Sequence, residues 1–247
     1  MTRPGRPAPG RSTIALLAGL AVDNYGSGLF LPLAVLYATR VVGLDVNVAG
    51  GLVASATVLG FSVPPIAGRL TQRFGPRLVV VAAQLVQGAG AVVYLLAGNG
   101  ASVFAAAALL AAGAQMFYCS VFVLIADVST SARKERPFAR IGMVRAGAFG
   151  LGTLTSAVVL TLHSDAALRA LVGLDAVTFV AAALVLAVLV DTERVDHGTG
   201  RAAGALRVLR DRSYRTPMAS TCLLGLGIDF ALIGTPVFVL DALDGPS

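Results

Sequence analysis

Residues 78–97 read Leu78-Val79-Val80-Val81-Ala82-Ala83-Gln84-Leu85-Val86-Gln87-Gly88-Ala89-Gly90-Ala91-Val92-Val93-Tyr94-Leu95-Leu96-Ala97, a stretch without a single charge. At 1.5 Å per residue an α-helix of ~20 residues crosses the ~30 Å hydrocarbon layer of a bilayer. Similar apolar runs recur near 13–38, 48–67, 102–126, 142–162, 167–190 and 217–240. The chain therefore reads as all-α, a polytopic membrane helix bundle of about seven spans. Its composition agrees: 56% of the 247 residues are hydrophobic and 13% charged, with a mean hydropathy of +0.82. An ordinary soluble domain carries roughly 25% charged residues.

Orientation follows from the basic residues, which collect on the cytoplasmic side of membrane proteins. Arg3, Arg6 and Arg11 precede the first span. Arg69, Arg73 and Arg77 lie between the second and third. Arg133, Lys134, Arg136, Arg140 and Arg145 lie between the fourth and fifth, and Arg194, Arg201, Arg207, Arg210, Arg212 and Arg215 between the sixth and seventh. All but Arg40 and Arg169 of the 19 basic residues thus fall on one side. This predicts a cytoplasmic N-terminus, a location in the cell membrane, and a seventh span that emerges outside. The first run is too long for a signal-peptide core and holds Asp23, Asn24 and Pro32, so it is read as a retained span. The Pro-, Gly- and Arg-rich segment 1–12 reads as a disordered basic tail. The polar stretch 191–216 reads as a cytoplasmic linker between a six-helix domain, 13–190, and a last helix with a short outer tail, 217–247.

Composition and motifs also exclude function classes. The pI near 10 would suggest nucleic acid in a soluble protein, but here the charge obeys membrane topology and no nucleic-acid partner is expected. Cys119 and Cys222 both sit in apolar runs and read as small hydrophobes. There is no His-Glu-x-x-His run and no Gly-x-Ser-x-Gly elbow, so no membrane metalloprotease or serine hydrolase is indicated. The single lysine, Lys134, lies in a connection, which removes a retinal Schiff base in the last helix. Neither an enzyme, a metal nor a cofactor is expected.

The most specific local pattern is Gly68-Arg69-Leu70-Thr71-Gln72-Arg73-Phe74-Gly75-Pro76-Arg77, expected as a short loop after the second helix. Gly68 would allow close backbone approach, Gly75 a tight left-handed turn, and the arginines would hold the segment at the cytoplasmic face. Taken alone, it is also a basic hairpin obeying the positive-inside rule. Its spacing resembles the signature loop of the major facilitator superfamily, Gly-x-Leu-x-Asp-Arg-Phe-Gly-Arg-Arg. Gly68, Leu70, Arg73, Phe74, Gly75 and Arg77 match in place, while Gln72 stands where the family has Asp and Pro76 where a basic residue is common. Asp23-Asn24-Tyr25 with Leu31-Pro32-Leu33, Ile125-Ala126-Asp127, Arg145-x-Gly147-x-x-Gly150-x-Gly152 and Asp175-Ala176-Val177-Thr178-Phe179 resemble, in order, segments of the family's bacterial drug exporters.

The resemblance implies two six-helix halves around one cavity, of which these residues would supply one half and the first helix of the next. It further implies secondary active export of a small molecule by alternating access, with protons as coupling ion and segment 68–77 as a cytoplasmic gate. A non-transporting membrane subunit, or a partner-binding half-transporter, is the alternative.

Three carboxylates interrupt the apolar spans: Asp23, Asp175 and Asp229. Each charge near a helix centre costs about 2.5–3.5 kcal/mol on insertion scales, so an intramembrane acid selects for a role or a partner. Asp23 and Asp229 are the leading proton or substrate candidates. Asp175, nearer the outer end of its helix, is the weaker candidate and reads more simply as a helix–helix polar contact. Protonated, hydrogen-bonded carboxyls between helices are the plainer alternative for all three. Arg145 either pairs with one of them or snorkels to the interface. Gln84, Gln87 and Gln115 either face a cavity or pack between helices. Gly147, Gly150 and Gly152, with Gly88 and Gly90, are expected to permit close helix contact. Pro32, Pro64, Pro65 and Pro236 are expected to kink their helices.

Overall fold

Proline and glycine punctuate the chain into its helices. The computed structural model describes residues 9–128, 135–162 and 164–190, together with Thr216, Ala219, Ser220 and Leu223. The chain divides into two units, Met1–Val195 and Asp196–Ser247. The expected linker, the seventh helix at 217–240 and Asp229 lie almost wholly outside the described residues, as do Arg133 and Lys134. Every element of the first unit among the described residues is helical.

Helix α1, Pro9–Phe30, runs into a 3-10 turn at Leu31–Leu33 and continues as α2, Ala34–Arg40. The turn falls at Pro32, which has no N–H to offer an α-helical carbonyl. Residues Ser12–Arg40 nonetheless form one stretch long and apolar enough to span a bilayer. Helix α3, Val46–Gly60, is capped by Asp45, whose side chain accepts from the Asn47 N–H at 2.8 Å. It is followed by α4, Pro64–Phe74, bent from it by 46°. Pro64 and Pro65 occupy the first turn of α4, where their missing N–H groups cost nothing, and they stop α3 from continuing. The remaining spans are α5, Pro76–Leu95; α6, Gly100–Val128; α7, Glu135–Leu160; and α8, Asp165–Leu189. With α3 and α4 counted as one bent span, the described residues hold six candidate spans.

One expected loop is a helix. The sequence suggests that the second span ends near residue 67, yet α4 runs on through Gly68 to Phe74. Hydropathy falls there, but Arg69, Leu70, Gln72 and Arg73 are good helix formers and nothing in their backbone stops propagation. Ala67 and Thr71, one turn apart, are buried, whereas Arg69, Gln72 and Arg73 are exposed. The Thr71 hydroxyl lies 2.7 Å from that of Ser120 on α6, fixing α4 to α6. The break is the single residue Gly75, at φ +86°, a conformation costly for any side-chain-bearing residue. Pro76 then opens α5.

Helix α1 packs against α7 and α8, α8 also against α5, α5 against α6, and α6 against α3 and α4. Near the end of α1, Phe30, Tyr37 and Tyr94 meet edge to face, with ring centroids 4.8 to 6.3 Å apart. Their phenols are satisfied crosswise: Tyr94 donates to the Ala34 carbonyl at 2.9 Å and Tyr37 to that of Leu95 at 3.1 Å. At the far end of α8, Arg77 donates from Nε to the Leu186 carbonyl at 3.3 Å and from a terminal nitrogen to that of Ala187. Carbonyls in a last helical turn lack intrahelical partners and carry the negative end of the helix dipole.

Charged hydrogen bonds of this kind contribute about 1.5–3 kcal/mol each. Arg77→Ala is therefore expected to lower the thermal unfolding midpoint of the detergent-purified protein, with Arg77→Lys recovering part of the loss. Arg73→Ala should leave the midpoint unchanged, because Arg73 is exposed and, among the described residues, its guanidinium rests on the neighbouring Phe74 ring, 5.3 Å away.

Candidate functional site

Residues three apart on a helix share a face. Asp23 and Gly26 form such a pair on α1, and Asp175 and Thr178 form one on α8. The packing of α1 on α8 brings these two faces together. A Cβ placed on Gly26 would overlap the Thr178 hydroxyl and lie 2.8 Å from Asp175 Oδ1. Only a glycine lets the α1 backbone approach so closely. Asp23 is 5% exposed and Asp175 1%, and the two carboxyls lie within electrostatic reach of each other.

Helix α5 adds Gln84, which is wholly buried. Its amide faces the Asp23 carboxyl closely enough to interact with it, but neither Oε1 nor Nε2 completes a hydrogen bond. Asp175 Oδ1 is also buried without a hydrogen-bond partner. The Thr178 hydroxyl spends its proton on the Asp175 backbone carbonyl, 2.7 Å away, so only its lone pairs face the pocket.

The positive charge arrives from α7. Arg145 Nε donates to Asn24 Oδ1 at 3.4 Å, and its guanidinium lies over the rings of Phe117 and Tyr118, 5.5 and 5.3 Å from their centroids. Asn24 passes the contact on, donating through Nδ2 to Asp23 Oδ2 at 3.1 Å and to the Leu20 carbonyl at 2.8 Å. Arg145 thus points inward and acts on Asp23 through an amide. Asp23, Asn24, Gln84, Arg145, Asp175 and Thr178 form one buried polar cluster joining α1, α5, α7 and α8.

The other sequence candidates are distributed elsewhere. Gln115 is half-buried on α6, and Gln87 is buried on α5, its Nε2 turned back toward the Ala83 carbonyl of its own helix at 3.5 Å. Among the described residues a Cβ on Gly68, Gly147 or Gly150 would meet nothing within 4 Å. On Gly152 it would collide with the Tyr25 carbonyl and stand 3.1 Å from Gly28 Cα, and on Gly28 with the Phe149 carbonyl. The intimate α1–α7 crossing is therefore Gly28 on Gly152, reinforced by Ser156, which donates to the Leu29 carbonyl. The sequence by itself does not mark Gly26 or Gly28, and it gives Thr178 only as part of the Asp175–Phe179 segment. The i, i+3 spacing of Asp23 with Gly26 and of Asp175 with Thr178 was the available signal.

A helical first unit with six candidate spans, a glycine-hinged basic segment between the second and third, and buried acids on the first and last make a distinctive combination. The family model described as Major Facilitator Superfamily matches residues 16–246, nearly the whole chain. The chain belongs to the major facilitator superfamily. No individual curated protein matches it. As a member of the superfamily it is a multi-pass membrane protein of the secondary-transporter class. Segment 68–77, which carries the superfamily signature in sequence, is the exposed end of α4, the Gly75 turn and the first residues of α5. Its Arg77 is anchored on α8, and Gln72 is exposed.

Proposed function

We propose that the chain works as a proton-coupled exporter of small molecules, resident in the cell membrane with its N-terminus in the cytoplasm, and catalyses no covalent chemistry. The observation that carries this reading is the buried Asp23–Asp175 cluster, set within apolar helices of a secondary-transporter fold. Two carboxyls enclosed with, among the described residues, one positive side chain in reach favour taking up one further positive charge, because a net charge buried in low dielectric is costly. A proton delivered to Asp23 would supply it. Proton uptake and substrate binding would then favour different conformations, so that protons moving inward drive substrate outward by alternating access. Asp229, outside the described residues, is the second candidate for proton exchange, and Gln115 for a substrate contact.

Gly68, Arg69, Leu70, Gln72, Arg73, Phe74, Gly75 and Arg77 would form the cytoplasmic gating segment of this cycle. Gln72 can donate and accept hydrogen bonds but adds no negative charge, so closure there would rest on hydrogen bonds and on Arg77.

The test is Asp23→Asn in reconstituted vesicles, with efflux of amphipathic dyes followed under an imposed proton gradient. The substitution preserves shape and removes the titratable group. Gradient-driven efflux should fall at least tenfold while facilitated downhill exchange persists. Undiminished coupled efflux would remove Asp23 from the mechanism.

A further inference from the structure

Two stripes of side chains meet between α6 and α7. On α6, Gln115, Tyr118 and Phe122 fall at i, i+3 and i+7 and share one helix face. On α7, Phe138, Gly142 and Arg145 fall at i, i+4 and i+7 and do the same. The stripes touch at two places. Phe122 stacks on Phe138 with ring centroids 6.3 Å apart, and further along, the Arg145 guanidinium lies 5.3 Å from the centre of the Tyr118 ring. Between these contacts Gly142 leaves a gap: among the described residues, a Cβ placed on it would meet nothing within 4 Å. The helices do not close this gap, because α7 packs along α1 while α6 packs along α5 and α3. Tyr118 and Phe122 remain 49% and 50% exposed.

The guanidinium beside this gap is only partly used. Its Nε donates to Asn24 Oδ1, and among the described residues no acceptor takes its two terminal nitrogens. A guanidinium is a planar fork that fits a carboxylate through two parallel hydrogen bonds, and exposed aromatic faces stack on planar rings. We propose that Gln115, Tyr118, Phe122, Gly142 and Arg145 form the substrate site, and that the substrate is a planar aromatic carboxylate of one or two fused rings. Arg145 takes the carboxylate, and the ring enters the gap beside Gly142 against Tyr118 and Phe122. The half-buried Gln115, one turn from Tyr118, offers its amide to a ring substituent. From Tyr118 to Phe122 and from Phe138 to Arg145 the gap runs about 6–10 Å at 1.5 Å per residue, which limits the size of the ring. Organic cations are selected against, since Arg145 is positive and the Asp23 and Asp175 carboxyls are buried.

Calling the ligand a substrate rests on the export reading above; its binding is measured without transport. The probe is radiolabelled 2-naphthoate, equilibrated with the full chain in phosphatidylcholine nanodiscs at neutral pH. The expected result is saturable binding above that of empty nanodiscs, with cyclohexanecarboxylate competing at least tenfold more weakly and naphthylmethylammonium not competing. Arg145→Gln should weaken binding at least tenfold and Arg145→Lys less, because lysine keeps the charge and loses the fork. Tyr118→Ala should weaken it severalfold and Tyr118→Phe leave it unchanged. Gly142→Leu fills the gap from an exposed position and should weaken binding at least tenfold. Gly147→Leu, equally open on α7 but two residues past Arg145 and so turned to the opposite face, should not change it. Far-ultraviolet circular dichroism and monodispersity of each variant separate lost binding from lost folding.

Absence of saturable 2-naphthoate binding in the wild type, equal competition by cyclohexanecarboxylate or by naphthylmethylammonium, or undiminished binding by Gly142→Leu would each overturn the site. Failure here with Asp23-dependent dye efflux intact refutes only the aromatic-anion site. Naphthoate binding that Gly142→Leu abolishes, in a chain without gradient-driven efflux, supports the site and refutes only the transport reading.

Discussion

Gly152→Val is expected to prevent the six-helix unit from assembling, whereas Gly147→Val and Gly150→Val on the same helix leave it folded. The difference is what each added side chain meets. At Gly152 even the first carbon strikes the Tyr25 carbonyl and crowds Gly28, and these are backbone atoms of α1 that cannot rotate away. The reciprocal variant, Gly28→Val, strikes the Phe149 carbonyl on α7. Inserting extra carbon into a packed interior costs typically 1–3 kcal/mol where side chains can yield, and more where they cannot. Separating α1 from α7 also breaks the Ser156 contact with Leu29 and moves Arg145 away from Asn24. The expected readout is loss of monodisperse protein on detergent extraction, or a fall of roughly 4–8 °C or more in the unfolding midpoint, the order of magnitude for losses of about 2 kcal/mol and above in a chain of this size. Gly147 and Gly150 meet nothing among the described residues. Equal damage from all three substitutions would show that the glycines act through helix propensity and not through packing.

The second large effect concerns the acids. Asp175→Asn is expected to reduce gradient-driven efflux as severely as Asp23→Asn, and the double variant to be no worse than either. Groups that hold one charge between them act as a unit, so removing the second after the first removes nothing further. Their joint burial and mutual electrostatic reach supply the coupling. Vesicle efflux measured for all four forms gives the cycle directly. If the two losses multiply instead, Asp175 is a separate packing contact and the cluster is not one site.

How much of this was legible in the sequence differs element by element. Residues 78–97 and 102–126 were readable because an apolar run of span length has few other folds open to it, and α5 and α6 begin and end within a few residues of those limits. The second span was harder. Its apolar stretch stops near residue 67 while its helix continues to Phe74, since hydropathy reports the solvent and helix propagation reports the backbone. Gly75 was readable as a turn because its neighbours leave it no other use, and it takes φ +86°.

The site divides the same way. Asp23, Asp175 and Arg145 were visible as charges in apolar surroundings, a costly placement that marks itself in any single sequence. From the sequence Asp175 ranks below Asp23, because it lies toward one end of its helix. Depth along a helix is legible in the chain, but the identity of the facing residue is not. The sequence by itself determined that this protein crosses the membrane many times, where most of its spans lie and which charges are out of place, because each follows from hydropathy and residue spacing along one helix. Only the tertiary structure decided that Gly26, one turn from Asp23, packs on Asp175 and Thr178, that Gln84 is buried unsatisfied and that Gly152, not Gly147 or Gly150, meets α1. Those facts depend on the rotation of each helix about its own axis, which contacts between helices fix and no single helix encodes.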